Sequence, residues 1–210
     1  MTADDTGEAL LKQALAGDIP ALAALFSQHR DRLKRMVKLR LDRRLQGRVD
    51  ASDVLQEAYL DLAQRLPEYG REPKFPLYLW MRLVTGQRLA QVHRKHLGAA
   101  MRNAELEVSI YQKALPQAST EFLASRLLGH FTSVSQQVVR AEQQIKLQET
   151  LNEMEEIDRE ILALRHFEEL SNDEAAQVLE IQPGTASKRY IRALRRLKEA
   201  MASIPGMLDE

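Results

Sequence analysis

The side chains of this 210-residue chain that are best suited to binding chemistry are the cations of one C-terminal segment. That segment, Leu170–Lys198, reads LSNDEAAQVLEIQPGTASKRYIRALRRLK. Ser171 with Glu174 forms a capping box, which predicts the start of a helix, and Pro183 fits the first turn of a second helix. The second helix then carries six Lys and Arg and no acid. This pattern is typical of a helix-turn-helix whose second helix lies in the major groove of DNA.

The periodicity of the second helix separates a buried side from an exposed side. Ala186, Ile191, Leu194 and Leu197 are predicted to be buried. The polar residues on or near the exposed side are Thr185, Ser187, Lys188, Arg189 and Arg192, while Arg195, Arg196 and Lys198 suit phosphate contacts. Glu180 stands at the turn position where Gly is usual, which predicts a tilted or lengthened turn. A plain two-helix hairpin with a solvated basic surface is the alternative interpretation.

The N-terminal half carries a different kind of surface. Asp50 and Ser52 offer helix caps, and the following DVLQEAYLDL predicts an amphipathic helix. Asp53, Gln56, Glu57 and Leu60 share a mixed acidic and apolar face of that helix. Several Pro and Gly residues then predict a loop over residues 67–76, before another helix from about residue 77 to 97.

Aromatic residues are concentrated around this loop. Tyr69, Phe75, Tyr78 and Trp80 are four of the eleven aromatic residues and fall within twelve positions. They adjoin a stretch that has no acid between Glu72 and Glu105. Rings beside Lys and Arg suit single-stranded nucleic acid, because bases stack on the rings while phosphates contact the cations. Tyr69 is predicted to be an exposed base contact, whereas Trp80 taken alone is more typical of a core residue.

Composition excludes several classes of protein. The chain has no Cys, so it lacks disulfides, zinc-thiolate sites and thiol nucleophiles. His93 and His96 flank Arg94 and Lys95 rather than carboxylates, which argues against a metal hydrolase. Thirty Lys and Arg balance thirty Asp and Glu, but the charges lie in strongly signed blocks. Basic blocks favour a polyanionic partner, and the N-terminal sequence and apolar runs predict neither a signal peptide nor a membrane span.

Helical periodicity runs through most of the chain, and no segment shows the alternation of a strand. The predicted class is all-α, with two helical domains joined by a linker. The predicted boundaries are an N-terminal helical extension over 1–17, a first domain over 18–98, a linker with one short helix over 99–137, a helix-turn-helix domain over 138–201 and a tail over 202–210.

The acidic Asp-x-x-Gln-Glu helix, the aromatic loop, the basic helix and the C-terminal LSxxEAAxxLxIxxGTAxxRxxRALxxL together resemble the extracytoplasmic-function sigma factors of bacterial RNA polymerase. The resemblance implies a region 2 domain over 18–98 and a region 4 domain over 138–200. It places core-polymerase binding on Asp53, Gln56, Glu57 and Leu60. It implies that the residues for recognition and melting of the minus-ten element are Tyr69, Lys74, Trp80, Gln87, Arg88, Arg94 and Lys95. It implies that the residues for recognition of the minus-thirty-five element are Thr185, Ser187, Lys188, Arg189, Arg192 and Arg196.

The resemblance also implies the partners. They are core RNA polymerase, through the clamp helices of its largest subunit and its flap region, promoter DNA, and an anti-sigma factor on overlapping surfaces. It implies a cytoplasmic protein without membrane insertion, catalytic residues, metal or cofactor. Gln87 and Gln91 stand where the family usually carries Asn and Asp, so its base preference does not transfer. The alternatives are a stand-alone helix-turn-helix regulator that binds duplex DNA without polymerase, and a helical adaptor that binds no nucleic acid.

Overall fold

The computed structural model describes residues 3–97, 115–128 and 136–203. Within these ranges the regular elements are helices and there is no strand, which confirms the predicted all-α class. The chain divides into two compact units between Pro116 and Gln117, inside the predicted linker. Residues 98–114 and 129–135 of that linker region lie outside the described residues, as do residues 204–210 of the predicted tail.

Within the part of the first unit that the structure describes, there are four long helices and one short turn. They are α1 (Ala3–Leu15), α2 (Ile19–Arg40), a 3₁₀ turn (Arg43–Leu45), α3 (Ala51–Arg71) and α4 (Leu77–Leu97). α1 packs against α2, and α2, α3 and α4 pack against one another. Leu33, Met36, Leu55, Leu62 and Met81 are fully buried at their centre.

Local sequence explains where these helices begin. Asp18 caps α2 by accepting a hydrogen bond from the Ala21 backbone N–H at 3.3 Å, and a proline lies in the first turn. Asp50 caps α3 by accepting from the Ser52 N–H at 2.6 Å. The Asp53 carboxylate accepts in return from the Asp50 N–H at 3.3 Å. These side chains satisfy amides that have no partner inside the helix.

The predicted loop over residues 67–76 is wrong in its first half. α3 continues through Pro67 to Arg71, so that only residues 72–76 are irregular. Pro67 removes one backbone donor, but Leu66 and Tyr69 on either side of it are buried and hold the last turns against the core. Gly70 lies against the side chain of Leu15 in α1, where a Cβ would clash.

A short segment after the gap at 98–114 also packs on the first unit. Leu115 is buried against Gly86 of α4, at a place where a Cβ on the glycine would clash with its side chain. Arg40, itself buried, donates from Nη1 to the carbonyl oxygen of Pro116 at 3.0 Å. The end of the first unit is therefore tied to α2 and α4.

The described residues of the second unit form five helices. They are α5 (Thr120–Leu127), α6 (Gln136–Glu153), α7 (Glu156–Leu162), α8 (Asn172–Leu179) and α9 (Pro183–Ala202), with a π-helical turn over Ala163–Phe167 after α7. α5 is the short helix expected in the linker region, and it packs against α6. α9 packs against α6, α7 and α8. The buried residues at these contacts include Leu123, Leu147, Leu151 and Ala193.

The helix-turn-helix has the predicted caps but a different turn. The Ser171 hydroxyl accepts from the Glu174 N–H at 3.1 Å, and the Glu174 carboxylate accepts from the Ser171 N–H at 2.7 Å. Pro183 opens α9, as predicted. The predicted lengthening of the turn is wrong, because Glu180 adopts the left-handed conformation itself, with φ of 54° and ψ of 39°. Only three residues then separate α8 from α9.

Candidate nucleic-acid interface

The predicted protein-binding face of α3 is exposed throughout. Asp53, Gln56, Glu57 and Leu60 all lie on the surface, and the Leu60 side chain is 60% exposed. The opposite side of α3 is packed into the core, so these four residues form a coherent outer face. Beside them runs a groove of about 430 Å³ whose lining includes Phe26, Arg30, Tyr59 and Leu60. An exposed leucine next to a groove and carboxylates suits a partner with apolar and cationic side chains.

The aromatic cluster is arranged differently from the prediction. Tyr69 is 8% exposed, so its prediction as an exposed loop residue is wrong. Its ring stacks on Trp80 with the centroids 4.5 Å apart, and its hydroxyl donates to the Phe75 carbonyl at 3.0 Å. Burial raises the pKa of Tyr69. The physical reason is that α3 extends past Pro67 and carries Tyr69 onto its inner side.

Trp80 is half-buried and lines an open cleft at the beginning of α4. This cleft has a volume of about 220 Å³, and Lys74, Phe75 and Gln87 also contribute to its walls. Gln87 Oε1 accepts a hydrogen bond from Arg65 Nη1 at 2.6 Å, which fixes the orientation of the amide. Stacked rings beside an exposed lysine have the chemistry that an unstacked base requires.

Arg88 is occupied by carboxylates of α3. Its Nε donates to Asp61 Oδ2 at 2.7 Å, its Nη2 donates to Asp61 Oδ1, and its Nη1 lies 3.6 Å from Glu57 Oε2. The hydrogen bonds to Asp61 raise the pKa of Arg88. Arg88 therefore joins α4 to α3, while Arg94 and Lys95 are exposed near the end of α4.

His93 is buried on the inner side of α4. Its Nε2 accepts a hydrogen bond from the Asp42 backbone N–H at 3.3 Å, and burial lowers its pKa. The Asp42 carboxylate binds Arg44, whose hydrogen bonds lower the pKa of Asp42 to about 2. Within the described residues, no group of three or more His, Asp and Glu side chains is placed to hold a metal ion.

α9 presents its residues in two groups. Thr185, Lys188 and Arg196 are exposed, whereas Ser187 is half-buried and donates to Asn172 Oδ1 at 3.0 Å. Arg189 and Arg192 are held by carboxylates of the α7 region instead of extending into solvent. Asp158 accepts hydrogen bonds from both arginines at 2.8–3.0 Å.

The buried side of α9 also differs from the prediction. Ala186, Ala193 and Leu197 form the buried stripe, at seven- and four-residue steps. Ile191 is 65% exposed and Leu194 is 36% exposed, so predicting them as core residues is wrong. Position 191 follows Ala186 by five residues and therefore faces away from the packed side of the helix.

Asp158 is the site residue that sequence reasoning missed. It lies in the first turn of α7, where an acid usually indicates only a favourable interaction with the helix dipole. Burial by itself would raise the pKa of Asp158, but the hydrogen bonds from Arg192 and Arg189 outweigh burial and lower it. Its partners are 31 and 34 positions away in the sequence, beyond the reach of any local pattern.

Comparisons with known proteins agree with these features. The family described as "Sigma-70, region 4" matches residues 144–197. The chain is 27% identical over 196 residues to the ECF RNA polymerase sigma factor SigD of Mycobacterium tuberculosis and of Mycobacterium bovis, covering 93% of this chain and 84% of each relative. Its fold is similar to that of CnrH in a complex with the cytosolic domain of CnrY, with a TM-score of 0.56, 17% identity and coverage of 95% and 99%.

The C-terminal helix-turn-helix lies within the part of the chain that matches region 4 of the sigma-70 family. Together with the similarity to SigD over most of the chain, this match supports a role in transcription initiation. None of the helices in the described parts of the chain combines the length and the apolar character needed to cross a membrane.

Proposed function

We propose that this chain binds core RNA polymerase and directs it to promoters by recognising a minus-ten and a minus-thirty-five element. The observation that carries the proposal is the outer face of α3. Asp53, Gln56, Glu57 and Leu60 are all exposed there, although the helix buries a full stripe on its other side. This face would bind the clamp helices of the largest polymerase subunit.

Minus-ten recognition would use the cleft around Trp80. A base that leaves the duplex stacks on the half-buried Trp80 ring, and Lys74 and Gln87 offer a cation and an amide at the walls. Tyr69 supports Trp80 from behind by stacking, so its role is indirect. Arg94 and Lys95, exposed on the same helix, would contact the backbone of the DNA.

Minus-thirty-five recognition would use α9. Thr185 and Lys188 lie in its exposed first turns, in reach of base edges when the helix enters the major groove. Arg196 would contact phosphate, and Arg189 and Arg192 would contribute through donors that their protein partners leave available. Ser187 gives its one hydroxyl donor to Asn172, so it would contribute only as an acceptor. Arg88, in contrast, would hold α4 against α3 through its hydrogen bonds to Asp61, and it would not contact DNA directly.

The proposal places the protein in the cytoplasm with the polymerase, and it needs no cofactor of its own. The second unit would meet the flap region of the polymerase. An anti-sigma factor would compete for these same polymerase-binding surfaces, because covering them is sufficient to prevent assembly of the holoenzyme.

The test is pull-down of core RNA polymerase with Glu57→Lys and Leu60→Asp, followed by transcription from a genomic fragment library. Both variants should lose core binding while circular dichroism stays helical, since both side chains are exposed. Leu60→Asp leaves the Glu57–Arg88 ion pair intact, and Glu8→Lys, at an exposed position of α1, is the matched control for charge reversal. Normal core binding by both variants would contradict the proposed face. Duplex binding without polymerase would favour the stand-alone regulator.

A further inference from the structure

The recognition helix α9 is tied to a buried acid. Asp158 is fully buried and accepts hydrogen bonds from Arg192 Nε at 2.9 Å and from Arg192 Nη2 at 3.0 Å. It also accepts from Arg189 Nη1 at 2.8 Å. Glu155, which is more exposed, accepts a second hydrogen bond from Arg189 Nη1 at 2.9 Å and lies 3.7 Å from Arg192 Nη2. Two guanidinium groups therefore face two carboxylates.

These contacts leave both arginines with donors for a second partner. A guanidinium group has five N–H donors, and the hydrogen bonds to Asp158 engage only Nη1 of Arg189 and Nε and Nη2 of Arg192. The side chains remain 26% and 39% exposed, respectively. An arginine on a surface helix normally samples many rotamers, and ordering it on binding costs affinity. Here the protein has already ordered both side chains.

We propose that Asp158 is a positioning residue for minus-thirty-five recognition, which holds Arg189 and Arg192 in fixed rotamers so that their remaining donors meet the DNA already oriented. The inference rests on the proposed function. In the proposed function, no cation of α7 contacts DNA. The inference gives α7 an indirect role in promoter selection, through Asp158. Glu155 assists by holding Arg189 from the surface side.

Loss of this acid should have two opposite consequences. Without Asp158 the arginines become mobile, which lowers discrimination between the correct element and a scrambled one. Removing a negative charge beside the recognition helix also makes the local field more positive, which strengthens binding to any DNA sequence. A purely electrostatic role predicts tighter binding to both DNAs, and simple unfolding predicts weaker binding to both. Positioning alone lowers the ratio of the two affinities while binding to scrambled DNA is maintained.

The experiment uses holoenzyme assembled from the full chain and core polymerase. The DNA is a promoter fragment that the wild-type holoenzyme selects, with its minus-thirty-five region either intact or scrambled. Asp158→Asn should reduce the ratio of affinities by roughly tenfold, the size of one lost bidentate base contact, and should leave binding to the scrambled fragment equal or tighter. Glu199→Gln is the matched control, because it removes one exposed negative charge from α9, and its ratio should stay at the wild-type value.

A wild-type ratio for a folded Asp158→Asn variant would overturn the inference. If wild-type holoenzyme itself does not distinguish the two fragments, the proposed function fails first. If circular dichroism shows that Asp158→Asn does not fold, the inference is tested with Glu155→Gln instead. The Glu155 side chain is 56% exposed, so its substitution leaves no buried group without a partner. That variant should show a smaller reduction of the ratio, and an unchanged ratio would overturn the inference in that case.

Discussion

The two helices proposed to contact DNA, α4 and α9, are held in the fold by different forces. α4 has ten buried residues among its 21, including Tyr78, Met81 and His93, and it offers exposed cations only near its end. α9 has three buried residues among its 20, namely Ala186, Ala193 and Leu197. These residues pack α9 against α6, α7 and α8, and ion pairs of Arg189 and Arg192 with Asp158 add to this packing. Substitutions within α4 should therefore mainly change the stability of the fold, whereas substitutions on the exposed side of α9 should mainly change DNA binding.

The most direct way to break this comparison is to remove an apolar side chain from each helix. Met81→Ala should lower the free energy of unfolding by about 2–5 kcal/mol, because Met81 is fully buried in α4 and its loss leaves a cavity. Ile191→Ala should change it by less than about 0.5 kcal/mol, since Ile191 is 65% exposed on α9. Urea denaturation followed by circular dichroism measures both. Equal losses for the two variants would show that α9 is packed as tightly as α4.

The comparison also explains what the sequence could and could not predict. Helix starts at Asp18, Asp50 and Ser171 were predictable, because a cap and the amides that it binds lie within three residues of each other. The exposed face of α3 followed from helical period alone. The burial of Tyr69 and the bonds of Asp158 depend on residues elsewhere in the fold, which no local pattern contains.

Ile191 shows a second limit of sequence reasoning. Apolar residues at 186, 191, 194 and 197 on α9 gave a plausible buried stripe, but the observed stripe runs through two alanines and Leu197. Small residues carry little hydrophobic signal, although they allow helices to approach closely. The stripe that packs was therefore the weaker of the two patterns in the sequence.

Acid should destabilise the first unit through α4. The neutral His93 ring accepts from the Asp42 N–H through Nε2, so protonation at that atom would break the bond. Burial keeps the pKa of His93 below its ordinary value, so the unfolded chain binds more protons as pH falls through about 6.5, and stability is lost over that range. Asp42 contributes nothing to this loss, because its pKa of about 2 keeps it ionised until far lower pH.

The measurement is the thermal midpoint of unfolding between pH 7.5 and 5.5, followed by a signal from the single tryptophan, Trp80, in the first unit. The wild-type midpoint should fall with pH, and His93→Gln should flatten that dependence even though it lowers the midpoint at every pH. His96→Gln is the matched control, because His96 is exposed on the same helix. If the pH dependence of the midpoint persists in His93→Gln but disappears in His96→Gln, the prediction is wrong, because the titrating group is then the exposed His96.

A small gain of stability is expected from a substitution at the turn that leads into α9. Glu180 holds a left-handed conformation that costs an L residue about 1–2 kcal/mol, and Gly adopts it without that cost. Glu180→Gly should therefore stabilise the second unit, by about 1 kcal/mol at most once the greater freedom of glycine in the unfolded chain is included. Urea denaturation monitored by circular dichroism measures the gain, with Gln177→Gly as the matched control that should destabilise the interior of α8. A loss of stability in Glu180→Gly would mean that the glutamate side chain contributes more to the turn than its backbone conformation costs.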